Sequence, residues 1–363
     1  MAERILLKGN EALGEAAILA GCRFFAGYPI TPQNEIPAYM ARRMPRVGGV
    51  FIQAESELAA INMVYGAAGA GARAMTSSSS PGISLKQEGI SYLAGAELPS
   101  VVVNIVRGGP GLGGIQPAQS DYFQATRGGG HGDYRTPVFA PNSVQEMVDL
   151  TMEAFEVADA YRNPVLVLGD GILGQMMEPV ALPPAREAPL PPKPWATTGA
   201  KGPGRRIINS LYLDPVVLEQ RNLWLAEKYA RMRGLARAET VGMEDAEICL
   251  VAYGATSRIV KGAMQMARRE GIRAGLIRPV TLWPYPTVSI REAAGRVEAF
   301  LVVELSLGQM VEDVRLAVDG KAPVHFYGRT GGMVPSPREV LEKLREVAAG
   351  MGKRRVVAAG AGA

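Results

Sequence analysis

The chain has 363 residues, of which 47% are hydrophobic and 20% charged, and a formal charge of +4. That composition belongs to a folded protein of two, at most three, domains and excludes a disordered or fibrous chain. Basic residues are scattered except in the tail "GKRRVV", which argues against nucleic acid as a partner.

No apolar run reaches the ~18 residues of a membrane span, and no leader pattern opens the chain. A cytoplasmic protein with no membrane contact is expected. Cys22 and Cys249 are the only cysteines, and His131 and His325 the only histidines. The chain cannot by itself ligate an iron–sulfur cluster, a Cys-rich zinc or a multi-histidine metal. A Ser-His-Asp triad would have to pass through one of those two histidines.

From residue 9 the pattern alternates. "GNEALGEAAILAG" has helical spacing, and "RFFAGYP" is a short strand ending in a turn. "TPQNEIPAYMARRM" reads as a helix with proline near its first turn. "GVFIQA" is a strand, "ELAAINMVYGAAGAG" a helix of small residues, and "RAMTS" a strand. "GISLKQEGISYLAGA" is a helix and "SVVVNIV" a buried strand. The strands "PVFAP" and "NPVLVLGD" flank a helix that starts at the capping box Ser143/Glu146.

Residues 179–245 break this rhythm with a Pro/Gly-rich arm and one long charged helix, "PVVLEQRNLWLAEKYARMRG". The strands "EICLVAYG", "AGLIRPV", "FLVVELS" and "VHFYGR" then alternate with helices, the last opened by Ser336/Glu339. Such alternation predicts two α/β domains with parallel sheets. The ranges are 1–178, an arm at 179–245, 246–350, and a basic flexible tail at 351–363.

"IVRGGPGLGG" contains a G-x-G-x-x-G, Gly109, Gly111 and Gly114, directly after an apolar strand. A dinucleotide site needs those glycines to lead straight into a helix. Here "IQPAQSDYF" follows, with Pro117 where the helix should be established, and the loop does not belong to the first βα unit. The loop therefore serves another purpose.

Four segments together carry a family likeness: "GYPITPQNEIP", "QAESELAAINMVYGAAGAGARAMTSSSSPGISL", "NIVRGGPGLGG" and "QSDYFQATRGGGHGDYR". They resemble the α subunit of 2-oxoacid:ferredoxin oxidoreductases, which are thiamine diphosphate enzymes, and are most similar to the branched-chain (3-methyl-2-oxobutanoate) type. The resemblance covers nearly the whole chain. It implies a pyrimidine-type thiamine diphosphate-binding domain followed by a transketolase C-terminal-like domain.

Within that resemblance Glu57 matches the carboxylate that hydrogen-bonds the coenzyme's pyrimidine ring, where sharing a proton activates the coenzyme. Read from the sequence alone, Glu57 could equally be a solvated first-turn glutamate. Thr31 and Arg107 match the substrate-binding threonine and arginine, the guanidinium being suited to a 2-oxoacid's planar carboxylate. Thr31 could also, or instead, be an N-cap, and Arg107 a surface arginine.

Cofactor contacts are expected from Tyr28, Pro29, Ile30, Glu57, Ser79, Ser80 and Pro81, the serines lying in the small-residue loop Thr76–Gly82. The glycines after Arg107 would let backbone approach cofactor and substrate. His131 is either a substrate contact or an incidental loop residue. Cys22, Cys249 and the many methionines read as packing. "GDG" at 169–171 resembles the magnesium–diphosphate motif of these enzymes but lacks its asparagine, so Asp170 reads as a turn residue.

The resemblance thus implies half of a shared site. A β subunit would hold Mg2+, the diphosphate and a [4Fe–4S] cluster, with a γ and a ferredoxin-like δ subunit beside it. The products would be CO2, acyl-CoA from coenzyme A, and reduced ferredoxin. The same chemistry on 2-oxoglutarate, pyruvate or an arylpyruvate, or a non-catalytic scaffold role, stay open as alternatives.

Overall fold

A computed structural model describes residues 4–185, 190–199 and 204–360, with backbone alone over 352–360. β1 (Ile5–Lys8) runs into α1 (Gly9–Leu19). Then β2 (Phe24–Gly27), α2 (Glu35–Arg43), β3 (Val50–Gln53), α3 (Glu57–Gly69), β4 (Ala74–Ser78), α4 (Ser80–Gly95) and β5 (Ser100–Val106) alternate. After a long loop come α5 (Tyr122–Arg127), β6 (Val138–Phe139), α6 (Val144–Tyr161), β7 (Pro164–Asp170), α7 (Gly171–Gln175) and β8 (Met177–Val180).

α8 (Pro215–Met232) leads to β9 (Ala238–Val241), β10 (Ile248–Val251), α9 (Gly254–Arg269), β11 (Ala274–Pro279) and β12 (Thr281–Trp283). The remaining elements are α10 (Thr287–Ala294), β13 (Ala299–Glu304), α11 (Met310–Val318), β14 (Val324–Gly328) and α12 (Pro337–Gly360).

The first sheet has the order β12-β6-β7-β5-β4-β2-β3, parallel throughout except for β12 at its edge. β5, "SVVVNIV", is buried over its whole length because helices cover both faces of a parallel sheet. Val102 and Val106 face one core, and Val101, Val103 and Ile105 the other. Each such aliphatic side chain, fully withdrawn from water, contributes roughly 1.5–3 kcal/mol before entropy is counted.

The second sheet has the order β14-β13-β10-β11-β9, with β9 antiparallel at its edge. β1 and β8 form a separate two-stranded ribbon. β12 lies within the stretch read as the second domain, yet it pairs with β6 of the first sheet. The two α/β units therefore share a strand as well as a face.

Gln119 ties them together. Its side chain donates to the Tyr253 carbonyl (2.9 Å) and accepts from Leu305 N–H and the Thr256 hydroxyl (3.0 Å each). Asp170 works at the same seam. One of its oxygens accepts from the Ile172 and Leu173 N–H groups at the start of α7, and the carboxylate also takes Ala255 N–H in the first turn of α9. A single buried carboxylate thus caps one helix in each unit.

α8 is held against the first unit by Glu97, which takes Arg221 at 2.6 Å and Lys228 at 3.3 Å, and the indole N–H of Trp224 at 3.2 Å. Burial pulls the Lys228 amine down to about 8. The rest of the arm, over 181–185, 190–199 and 204–213, has no regular structure, as its Pro/Gly content predicts.

Candidate active site

Four neighbouring parallel strands, β5, β4, β2 and β3, point their carboxyl ends at one crevice. Open α/β sheets place ligands at that position, because the loops there are free of the sheet ladder. Each of these strands delivers one of the residues or loops singled out from the sequence: β2 leads into "YPITP", β3 into Glu57, β4 into Ser79–Ser80, and β5 into Arg107.

Glu57 is the first residue of α3, behind the N-cap Ser56, whose hydroxyl accepts from Ala59 N–H at 3.1 Å. It is 5% exposed, so it is not a solvated first-turn glutamate. Gly82 leans on it: a Cβ there would fall 2.4 Å from Glu57 Oε1 and 2.0 Å from Ser78 Oγ. Glycine at 82 is thus required by close approach, not by backbone angle. Glu55, two residues earlier, is exposed.

The loop Thr76–Gly82 closes the floor. Its hydroxyls do not share one fate. Ser77 donates to Gln33 (2.5 Å) and Ser80 donates to the Arg107 carbonyl (3.2 Å) while accepting from Arg107 N–H (3.0 Å). Thr76, Ser78 and Ser79 hydroxyls are buried without a partner among the described residues. Ser79 occupies the N-cap position of α4 yet its side chain makes no cap bond. Pro81 is at the helix's first turn, half-buried.

Buried polar atoms with no partner are expensive, at about 1–3 kcal/mol each, and a cluster of them marks a place built for a ligand. Ser80 N–H also donates to Asn104, which in turn donates to Asp121 at 2.9 Å. Burial holds the Asp121 carboxyl above its usual range.

Arg107 is 6% exposed. Its Nη1 donates to the Thr31 carbonyl and Nη2 to the Leu112 carbonyl, both at 3.0 Å, and Nε is buried without a partner among the described residues. The guanidinium thus staples the "YPITP" loop to the glycine loop. Thr31 is exposed and is not a helix cap, since α2 starts four residues on with Asn34 at its N-cap. Tyr28 and Pro29 are exposed and Ile30 half-buried along the same loop.

The glycine loop closes on itself through Gly114 N–H to the Gly108 carbonyl, 2.8 Å, and a Cβ at Gly113 would lie 1.8 Å from that oxygen. No helix follows until Tyr122. Without a helix N-terminus facing it, the loop has no cradle for a pyrophosphate. His131 is exposed, its carbonyl held by Ser91 and its ring edge-on to Tyr92.

Lys86 escaped the sequence reading. It is fully buried on α4, and its Nζ donates to the Glu57 carbonyl at 3.2 Å. Burial lowers its amine to about 8, while the charge of Glu57 opposes that shift. A signal was present: Gly82, Lys86, Gly89 and Leu93 follow the 4-3-4 spacing of a buried helical face, where a lysine is out of place.

A family model described as "Pyruvate flavodoxin/ferredoxin oxidoreductase, thiamine diP-bdg" matches residues 15–218, and "Pyruvate:ferredoxin oxidoreductase core domain II" matches 246–340. The ketoisovalerate oxidoreductase subunit VorB of Methanothermobacter thermautotrophicus is 54% identical, covering 94% of this chain and 97% of that one. The 2-oxoglutarate synthase subunit KorA of the same organism is 41% identical over 95% and 99%.

Among solved structures, 2-oxoglutarate:ferredoxin oxidoreductase from Magnetococcus marinus, with 2-oxoglutarate, coenzyme A and succinyl-CoA bound, superposes with a TM-score of 0.85 at 28% identity. The match covers 95% of this chain and 65% of that one. A split-gene transketolase, at a TM-score of 0.57 and 14% identity, shares the fold alone.

Fold and crevice define a protein of the thiamine diphosphate-binding class, two parallel α/β units with the ligand loops at the carboxyl ends of the first sheet. The chain belongs to the pyruvate flavodoxin/ferredoxin oxidoreductase family, as a subunit of a 2-oxoacid:ferredoxin oxidoreductase.

Proposed function

We propose that this subunit binds the aminopyrimidine end of thiamine diphosphate and the carboxylate of a branched-chain 2-oxoacid, 3-methyl-2-oxobutanoate, for oxidative decarboxylation to an acyl-CoA. The carrying observation is the buried Glu57 carboxylate, which meets the Ser78 hydroxyl in the space kept by Gly82, in a loop whose Thr76, Ser78 and Ser79 hydroxyls have no partner among the described residues. These residues fit the polar edge of a pyrimidine: an acid to share a proton with the ring nitrogen, and small hydroxyls to meet the exocyclic groups. When bound, thiamine diphosphate supplies the nucleophilic carbon and the electron sink that a 2-oxoacid needs to lose CO2.

Glu57 holds the shared proton. Gly82 keeps space beside it. Arg107 has an uncommitted Nε and further N–H directions on both terminal nitrogens, enough to hold a carboxylate while staying tied to its two loops. Tyr28, Pro29, Ile30 and Thr31 wall the substrate side. Ser80 and Pro81 set the loop rather than touch reactant, since Ser80 is spent on the Arg107 backbone. The branched-chain substrate is favoured over 2-oxoglutarate by the higher identity to the ketoisovalerate subunit.

The other half of the site belongs to a β subunit carrying Mg2+, the diphosphate contacts and a [4Fe–4S] cluster, with γ and δ subunits and ferredoxin completing the assembly in the cytoplasm. Two cysteines cannot supply the four thiolates of a [4Fe–4S] cluster, and both are fully buried, burial pushing the Cys22 thiol up to about 12 and Cys249 higher still. Asp170 is spent on capping helices, which leaves "GDG" no free carboxylate for a metal. Leu58, Leu85, Leu112 and Ile115, each next to a site residue or in its loop, are 46–81% exposed, the kind of rim a partner covers.

The test is viologen or ferredoxin reduction by the assembled complex across a panel of 2-oxoacids, with Glu57→Gln and Arg107→Lys. Turnover is expected to be best with 3-methyl-2-oxobutanoate and to fall at least 100-fold, roughly, in Glu57→Gln. The loss of the guanidinium fork should raise KM about tenfold or more in Arg107→Lys. Turnover in Glu57→Gln within a few-fold of wild type would overturn the assignment.

A further inference from the structure

The glycine loop that follows Arg107 returns along residues 116–119, and this returning limb lies between Arg107 and the second α/β unit. On one side the Gln116 carbonyl accepts Gly108 N–H at 3.0 Å, and Pro117 pairs with Arg107 in an isolated antiparallel bridge. On the other, Gln119 N–H donates to the Leu305 carbonyl at 2.8 Å, beside the three side-chain bonds of Gln119 to Tyr253, Thr256 and Leu305.

The second unit also presses on the limb directly. In the turn between β14 and α12, Gly332 has φ +90° and faces Gln116: a Cβ there would fall 2.3 Å from Gln116 Cβ and 3.0 Å from its Cγ. Two Cβ atoms cannot be parted by a side-chain rotation. The backbones themselves would have to separate by about 1 Å to reach ordinary contact near 3.4 Å. The neighbouring Gly331 shares the left-handed backbone, φ +67°, but a Cβ on it would meet nothing within 4 Å. Position 332 thus requires glycine for both conformation and close approach, and position 331 for conformation alone.

We propose that Gly332 and Gln119 are positioning residues for Arg107: the second unit seats the returning limb, by close contact at Gly332 and by hydrogen bonds at Gln119, at the height that aims the guanidinium at the substrate carboxylate. This rests on the reading of Arg107 given above. The path is short. Gly332 sets Gln116, whose carbonyl holds Gly108 N–H, and the next residue, Pro117, pairs with the Arg107 backbone. The Leu112 carbonyl, which anchors the guanidinium, belongs to the same loop, so a shifted limb disturbs both ends of the Arg107 side chain. The second α/β unit thereby takes part in substrate recognition.

The experiment measures inhibition of viologen reduction in the assembled complex by 2-hydroxy-3-methylbutanoate and by its neutral amide, which differ at the carboxylate alone. Wild type is expected to prefer the acid by roughly tenfold or more, the margin of a charge-assisted fork over a neutral contact. Gly332→Ala should cut that preference about fivefold or more, weakening the acid while the amide binds as before. Gly331→Ala should keep it. Removing the facing Cβ, in Gly332→Ala/Gln116→Gly, should restore the preference. A general loosening of the complex would instead weaken acid and amide together.

Gln119→Met keeps the length of the side chain but gives up its three bonds across the seam, and should lower the preference in the same way. It carries the test even if Gly332→Ala does not assemble. An unchanged preference in Gly332→Ala or in Gln119→Met, equal losses in Gly331→Ala and Gly332→Ala, or a double variant that is not restored overturns the seating of Arg107 by the second unit and leaves the function intact. A wild type that binds acid and amide alike overturns the reading of Arg107 and this inference with it.

Discussion

Gly82→Ala is the smallest change that tests the crevice. In an exposed helix, replacing glycine by alanine stabilises by about 0.5–1 kcal/mol, because the unfolded chain loses freedom. At position 82 the new methyl would sit 2.4 Å from Glu57 Oε1, 2.9 Å from Glu57 Cγ and 2.0 Å from Ser78 Oγ. Ordinary contact begins near 3.4 Å, so the carboxylate must retreat about 1 Å and the hydroxyl somewhat more.

Ser78 is in β4, buried and central in the sheet, and cannot move with its strand. Glu57 is a longer side chain and will yield. A catalytic group misplaced by 1 Å loses roughly 100-fold in rate. Gly82→Ala should therefore lower ferredoxin-linked kcat by about two orders of magnitude, with melting within a few degrees of wild type. The control is Gly66→Ala in α3, where a Cβ would meet nothing within 4 Å. That variant should keep full activity and melt about 1–3 °C higher. Gly82→Ala turning over within threefold of wild type would refute the placement of Glu57.

Asp170→Asn tests the seam between the two α/β units. The amide retains one acceptor for α7 but turns a donor toward Ala255 N–H, at a cost of about 1–3 kcal/mol in urea unfolding. Burial raises the Asp170 carboxyl to about 6 from an ordinary 3.8. Its contribution is thus full below pH 3.8, is lost as pH rises through about 6, and is flat above that. The wild-type minus Asp170→Asn stability difference should show this fall, and a pH-independent difference would count against it. Glu97→Ala strands the buried Lys228 amine and frees α8 from the first unit, at about 3 kcal/mol, with faster proteolysis of the arm as a second readout. Unchanged unfolding and proteolysis would show that Glu97 does not hold the arm.

Local pattern alone determined the alternation of strands and helices. β5 announces itself as "SVVVNIV" because a strand covered on both faces is apolar at every position, and α6 announces its start through the Ser143–Glu146 box. The Pro/Gly density of the arm excludes regular structure for a reason within each residue. Glu57, Thr31 and Arg107 were recognisable as motif residues, yet their meeting was not, since they stand 26 and 50 residues apart on three different strands' ends. Strand order brings them together, and that order depends on long-range pairing.

Short edge elements were equally hidden: β1, β8, β9 and β12 carry three or four residues each, and three of them, β8, β9 and β12, pair antiparallel with strands distant in the chain, outside the strand–helix alternation. β12 joins the first sheet across the seam where the two units dock, a seam that also holds Gln119 and Asp170. Lys86 shows the division most sharply. Its place on a buried face follows from helical spacing, but its meaning comes from α3 and α4 packing closely enough for one amine to reach the backbone of the residue that carries the acid.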